Sequence, residues 1–108
     1  MKKEKIYEVA NRLGWVVEFR EGFGSKMAFF KTNSGIGDVF EIGVFFEELE
    51  DIPHGLYLRY DGFNEDEYSA LTFLSDPDFK HSLNEIMWDT EKLKKKFSVL
   101  CDEMDRIK

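Results

Sequence analysis

Apolar residues in this chain follow two different spacings, and the changes between them predict where helices and strands lie. Near the N-terminus they recur every three or four residues, which predicts a helix from Lys3 to Leu13 that ends at Gly14. The last third of the chain has the same spacing at Leu93, Phe97, Leu100, Met104 and Ile107. A long C-terminal helix is therefore expected, with one face buried.

Between these helices apolar and polar residues alternate, as in strands with one buried face. The alternation predicts strands over 15–19, 26–32, 38–46 and 56–60. Asn64, followed by Glu67 three residues later, fits an N-cap with its reciprocal glutamate, so a helix should begin there. The segment 75–78, which contains Pro77, should end that helix.

The predicted order is α-β-β-β-β-α-α, an α+β fold. Consecutive strands joined by short turns favour a four-stranded antiparallel meander, and its buried face needs helices packed on it. A length of 108 residues fits a single domain spanning 1–108. The apolar content of 43%, with eleven phenylalanines, suits a packed core and is too high for a disordered acidic tail.

Charge is sorted along the chain. Between Thr32 and Phe79 lie twelve acidic side chains and one basic one, Arg59, for a net charge of −11, whereas the whole chain carries −7. Such a surface repels nucleic acid and anionic membrane and attracts basic proteins. The predicted partner-binding residues are Glu47, Glu48, Glu50, Asp51, Asp61, Phe63, Glu65, Asp66, Glu67, Asp76 and Asp78.

Two interpretations of this acidic segment stay open. It is either a solvated surface that keeps a phenylalanine-rich domain soluble, or a functional face. The scarcity of lysine and arginine within it favours the functional face, as do the interleaved aromatic residues, since aromatics anchor many interfaces. Those aromatic residues are Tyr57, Tyr60, Phe63 and Tyr68.

The single basic cluster also has two interpretations. Lys92, Lys94, Lys95 and Lys96 either form helix-surface pairs with acidic neighbours or meet the acidic face of a second copy in a homodimer.

Catalytic and metal-binding patterns are missing from the sequence. His54 and His81 have no partner at ligand spacing, and nothing places a base beside Cys101. The segment 61–67 resembles a calcium loop but lacks its alternating ligands and its glycine at the sixth position. We therefore expect a non-enzyme without catalytic residues, metal or cofactor. A single cysteine and the lack of a signal-peptide pattern predict a cytoplasmic location.

Three segments carry a resemblance to a known group. They are Leu13-Gly14-Trp15 with the strand after it, the stretch from Tyr60 to Tyr68, and the closing run from Leu93 to Leu100. Together they resemble small acidic proteins of Firmicute phages and mobile elements, which implies the host cytosol as the location. In size, charge and lack of catalytic residues the chain is similar in type to anti-CRISPR proteins, a likeness that assigns no residue roles.

The leading hypothesis is a non-enzymatic inhibitor or regulator of a basic nucleic-acid-handling protein. Its carboxylates would occupy positions that phosphates normally take. The most concrete version is an anti-CRISPR inhibitor of an RNA-guided nuclease, a CRISPR effector, with no direct binding of nucleic acid or membrane. The alternatives are a structural or assembly module of a mobile element that self-associates, and a metal-dependent enzyme that uses clustered carboxylates.

Overall fold

A three-stranded antiparallel sheet and four helices account for the regular structure of residues 1–76 and 78–108, which the computed structural model describes. In chain order the elements are α1 (Lys3–Arg12), β1 (Val16–Gly22), β2 (Ser25–Asn33), β3 (Val39–Phe45), α2 (Ile52–Asp61), α3 (Glu65–Ser75) and α4 (Leu83–Arg106). A short 3-10 helix, Leu49–Asp51, leads into α2. Pro77, in the predicted break after α3, lies outside the described residues.

The sheet has the order β1-β2-β3, with both pairs antiparallel. Its central row aligns Val17 with Phe30 and Phe30 with Ile42, and all three side chains are buried. Residues one position away along each strand point to the opposite face, where Val16 and Phe45 are exposed. The helices therefore cover one face of the sheet and leave the other open.

The predicted fourth strand, 56–60, is wrong, because these residues lie in α2. Pro53 occupies the first turn of this helix, where a missing N–H costs no hydrogen bond. Ile52 and Leu56, four residues apart, are both fully buried, and Tyr60 continues the same face half-buried. The four-stranded meander is thus replaced by a three-stranded sheet with one more helix.

Gly55 lets α2 approach β3 closely. A Cβ atom at this position would overlap Cγ1 of Val44, a buried residue on the inner face of the sheet. Valine is stiff at χ1, so its side chain cannot easily turn away. The contact between α2 and the sheet therefore requires glycine at position 55.

The long helix α4 supplies the centre of the core. Phe97 is 1% exposed, and Leu100 and Met104 on the same face are fully buried. The shorter helix α3 differs from expectation, because Leu71 and Leu74, predicted on its apolar side, are both exposed. Its inward side instead carries half-buried and small residues.

We expect Phe97→Ala to lower the free energy of unfolding by about 3–5 kcal/mol, the usual cost of emptying a buried aromatic site. Val99→Ala on the same helix is the control, since Val99 is largely exposed. Chemical denaturation of both variants measures the difference. A loss below about 1 kcal/mol for Phe97→Ala would contradict this packing.

Gly55→Ala should destabilise the protein by about 1–3 kcal/mol, because overlap with Val44 outweighs the gain in helix propensity. Gly62→Ala is the matched control. Gly62 has a negative φ of −85°, and an added Cβ would lie 3.6 Å from the Leu58 carbonyl oxygen, an ordinary contact. Thermal melts should show the control unchanged or slightly more stable. Equal losses in both variants would disprove the role of Gly55.

Candidate acidic interaction surface

The acidic residues that adjoin in sequence are distributed over three helix ends. One cluster, 47–51, precedes α2, a second, 61–67, joins α2 to α3, and a third, Asp76 with Asp78, follows α3. Helices of 10 and 11 residues separate the clusters by about 15 Å. Exposed charges more than about 10 Å apart are largely screened at 0.1 M salt. The predicted partner-binding residues therefore act as three local patches.

In the first cluster the acids organise the start of α2. The Asp51 carboxylate accepts hydrogen bonds from the backbone N–H groups of Glu48 (3.0 Å) and Glu47 (3.2 Å), and Glu48 closes the capping box. These backbone bonds, the one from Glu48 first, lower the pKa of Asp51 below its ordinary value. Glu50 accepts a hydrogen bond from the N-terminal ammonium at 3.0 Å, which lowers its pKa as well.

The third cluster shapes the turn after α3. Asp76 accepts hydrogen bonds from the backbone N–H groups of Asp78 (3.1 Å) and Lys80 (2.8 Å). The Asp78 carboxylate lies 3.9 Å from the Lys80 ammonium. Both acids therefore have local partners.

In the middle cluster three carboxylates have no bonding partner among the described residues. Glu65 pairs with Lys94 at 2.8 Å, but Asp61, Asp66 and Glu67 are exposed, and their carboxylates bond to nothing in the described chain. The backbone N–H of Glu67 donates to the Asn64 side chain at 3.0 Å, which confirms the N-cap. The predicted reciprocal bond from the Glu67 side chain to Asn64 is wrong, because this carboxylate makes no hydrogen bond among the described residues. We call Asp61, Asp66 and Glu67 the acidic corner.

Two residues of the acidic corner, Asp61 and Asp66, border a shallow depression. Residues Asp61 to Asp66 line a pocket of about 480 Å³ between the end of α2 and the start of α3. Asp66 and Glu67 lie in the first turn of α3, where the helix dipole stabilises negative charge. The helix termini hold the corner's backbone in place.

The aromatic residues interleaved with the acids face inward. Phe63 is half-buried, with its ring 5.4 Å from both the Phe40 and Tyr68 rings, so it contacts the core more than solvent. The Tyr57 hydroxyl donates to Asp102 at 2.7 Å and ties α2 to α4. Phe63, predicted to bind the partner, is thus part of the core boundary.

Trp88 on α4 is an exposed aromatic residue that the sequence reasoning missed. With Met87 it lines a groove of about 260 Å³ between α3 and α4, and Asp66 of the acidic corner lines the same groove. Trp88 lies two residues after the buried Ile86, which places it about 200° around the helix. The position of Trp88 on the side of the helix opposite the apolar repeat is the sequence feature that could have predicted its exposure.

The lysine cluster on α4 is largely engaged. Lys94 pairs with Glu65, and Lys95 lies 3.8 Å from Glu91. The Lys96 ammonium donates to the Gly14 carbonyl at 3.3 Å and to the Thr32 hydroxyl. Pairing along the helix surface therefore explains Lys95, whereas Lys94 pairs with Glu65 of α3. Self-association through this cluster stays a prediction.

The single cysteine has surroundings that suppress its reactivity. Cys101 is fully buried, and burial raises the pKa of its thiol to about 12, so the nucleophilic thiolate is strongly disfavoured. His81 pairs with Glu85 at 3.2 Å, and His54 is exposed on α2. Within residues 1–76 and 78–108, no three His, Cys, Asp or Glu side chains cluster as a metal site would need.

No protein-family model, curated protein or solved structure matches this chain. The resemblance to small acidic phage proteins therefore stays a prediction. Over the described part of the chain, every helix is too short or too polar to cross a membrane.

The hydrogen bonds to Asp51 predict a pH effect. A carboxyl with a depressed folded pKa contributes stability above its ordinary pKa, and that contribution is lost as the pH falls through the folded value. We therefore expect Asp51→Asn to be less stable than wild type at neutral pH, with the gap closing below about pH 4. Asp61→Asn, which removes an unbonded carboxylate, is the control. Denaturation between neutral and acidic pH tests this, and a pH-independent gap for Asp51→Asn would contradict it.

Proposed function

We propose that this protein is a non-enzymatic binding protein that holds a basic, nucleic-acid-handling protein through the acidic corner and the Trp88 groove. The proposal rests on one structural observation. Three exposed carboxylates have no bonding partner among the described residues, and one of them, Asp66, lines the groove that contains the exposed Trp88.

The contrast with the other acidic clusters supports this choice. Asp51 and Asp76 accept backbone hydrogen bonds at the helix ends, so local structure accounts for them. The acidic corner has no such local role beyond a contribution to the helix dipole. Solubility alone explains acidic side chains, but it does not explain an exposed tryptophan next to them.

The mechanism follows from the chemistry of the expected partner. Lysine and arginine side chains in a nucleic-acid groove are unpaired in the free protein, so they attract an acidic surface and speed its encounter. Each exposed ion pair contributes only about 0.2–1 kcal/mol, and the charges alone therefore give little affinity. Trp88 can supply the remainder, because an arginine guanidinium stacks well on an indole ring.

Inhibition of an RNA-guided nuclease is the most concrete form of this proposal. Carboxylates in the positions of phosphates would keep such an enzyme from its nucleic acid. The support is the acidic corner together with a likeness of type to anti-CRISPR proteins.

The test compares two triple variants with the same change in net charge. The corner variant is Asp61→Asn, Asp66→Asn and Glu67→Gln, and the control is Glu4→Gln, Glu8→Gln and Asp105→Asn on exposed positions of α1 and α4. Binding kinetics are measured on the partner captured from host lysate and then purified. At low salt the corner variant should associate about tenfold or more slowly, because steering of this kind changes association rates by 10- to 1,000-fold. The control should bind at nearly the wild-type rate.

Two further measurements separate this mechanism from the alternatives. Trp88→Ala should speed dissociation, and the partner's own nucleic acid should compete with binding. Melting temperatures of all variants exclude unfolding as the cause. A corner variant that associates at the wild-type rate, or a complex that still holds its nucleic acid, would refute the proposal. Substoichiometric modification of the partner would favour an enzyme instead.

A further inference from the structure

The tip of the β1–β2 hairpin carries a fully exposed phenylalanine in an unfavourable backbone conformation. Phe23 and Gly24 form the two-residue turn between the paired residues Gly22 and Ser25, with φ values of 51° and 77°. A turn with positive φ at both central residues prefers Asn-Gly, and a bulky residue there is an outlier. Phe23 therefore adds strain and buries nothing within its own chain.

Beside this tip lies the uncovered face of the sheet. We call it the outer sheet face, and its strand residues are Val16, Glu18, Arg20, Gly22, Ser25, Met27, Phe29, Lys31, Asn33, Val39, Glu41, Gly43 and Phe45. The three-stranded row nearest the tip aligns Arg20 with Met27 and Met27 with Phe45, which is 64% exposed. Phe29 and Met27 both reach over Gly43. Near the tip this face thus presents Met27, Phe29 and Phe45 together with Arg20, whose guanidinium lies 4.4 Å from the centre of the Phe29 ring.

The outer sheet face is also electrically balanced. Its two acids and two bases pair with each other, Arg20 with Glu18 at 3.0 Å and Lys31 with Glu41 at 3.3 Å. The chain as a whole carries −7. The strand residues of two copies that meet on this face therefore bring no net charge into contact, whereas the helical side presents the acidic corner.

A cleft of about 340 Å³ opens next to the tip. Gly24, Ser25 and Lys26 line one side of it, Phe45 and Phe46 line the other, and Glu47 and Asp51 complete the lining. The Lys26 ammonium donates to the Glu47 carbonyl at 3.3 Å, so the polar groups of the cleft are partly paired. A protruding ring and a cleft with two phenylalanines in its wall are thus neighbours at the same end of the sheet. A two-fold interface needs such self-complementarity, because each copy presents the same patch to the other.

We propose that a second copy of this chain docks on the outer sheet face, with Phe23 of each copy entering the cleft beside Phe45 of the other. Three strands of 7 to 9 residues cover a plan area of about 350 Å². A standard interface buries about 800 Å² per partner, so even with the hairpin insertion this dimer dissociates on dilution. It leaves the acidic corner free and does not depend on the proposed function.

The experiment measures molar mass by sedimentation from about 1 µM to about 1 mM protein. Two variants remove the interface, Phe23→Asn at the tip and Phe45→Thr on the strand. Leu74→Asn is the matched control, since Leu74 is 71% exposed on α3 and away from the sheet. The dimer dissociation constant should rise about tenfold or more in both interface variants and change less than about twofold in the control.

Thermal stability provides a second measurement, in which Phe23→Asn should stabilise the monomer although it weakens the dimer. At low concentration Phe23→Asn should melt above wild type, because asparagine tolerates a positive φ. The wild-type melting temperature should rise with protein concentration, as linkage to dimerisation requires, and the rise should disappear in Phe23→Asn. Added salt should leave the dimer unchanged or tighten it, because it screens repulsion between copies of like charge.

Four results would overturn the proposal. They are a monomer over the whole concentration range, a dimer that Phe23→Asn does not weaken, an association that salt weakens, and a lower melting temperature for Phe23→Asn at low concentration. The third would indicate acid–lysine pairing between copies, and the fourth would give Phe23 a structural role within its own chain.

Discussion

The fold depends on the aromatic contacts of Phe97, which join every layer of the molecule. Its ring lies 5.4 Å from that of Tyr60 on α2, 6.0 Å from Phe40 on β3, 6.2 Å from Trp15 before β1 and 6.3 Å from Phe63 between α2 and α3. Edge-on and tilted aromatic pairs at these distances add stability beyond the area they bury. Because Tyr60 and Phe63 flank the end of α2, the same contacts fix the acidic corner against the core.

The periodicity of the sequence predicted α1, α4 and the three strands correctly, because it is long there. It failed over α2, where a strand was predicted at 56–60. Leu56, Leu58 and Tyr60 alternate like a strand, but Leu56 and Tyr60 are also one helical step apart. Tertiary contact decides between the two. Gly55 lets the backbone of α2 approach β3, and the Arg59 guanidinium donates to the Gly43 carbonyl on the strand edge at 3.0 Å. A side chain from a helix thus satisfies an edge group that a fourth strand would have paired.

Tertiary contacts also limit what the sequence could predict about the candidate site. The acidic bias is visible in the sequence, but which carboxylates are free depends on helix caps and on side chains far away in the chain. Glu65 and Asp66 are neighbours, yet Lys94 of α4 reaches only Glu65. Likewise Phe63 turned inward to the core rings, whereas Trp88 is exposed because it falls outside the apolar repeat of α4. Residue type and spacing predicted an acidic surface, and three-dimensional packing determines which of its carboxylates have a bonding partner among the described residues.

The two proposed surfaces explain why one small chain tolerates both a high negative charge and exposed aromatic rings. With all helices on one face, a three-stranded sheet has to expose the other, and an exposed apolar sheet face invites unselective association. A net charge of −7 opposes contact between copies in most orientations. The balanced pairs Glu18–Arg20 and Lys31–Glu41 remove that opposition on the outer sheet face alone. The same negative charge can therefore attract a basic partner at the acidic corner and restrict self-association to one geometry. Specific binding often depends in this way on repulsion at all other surfaces.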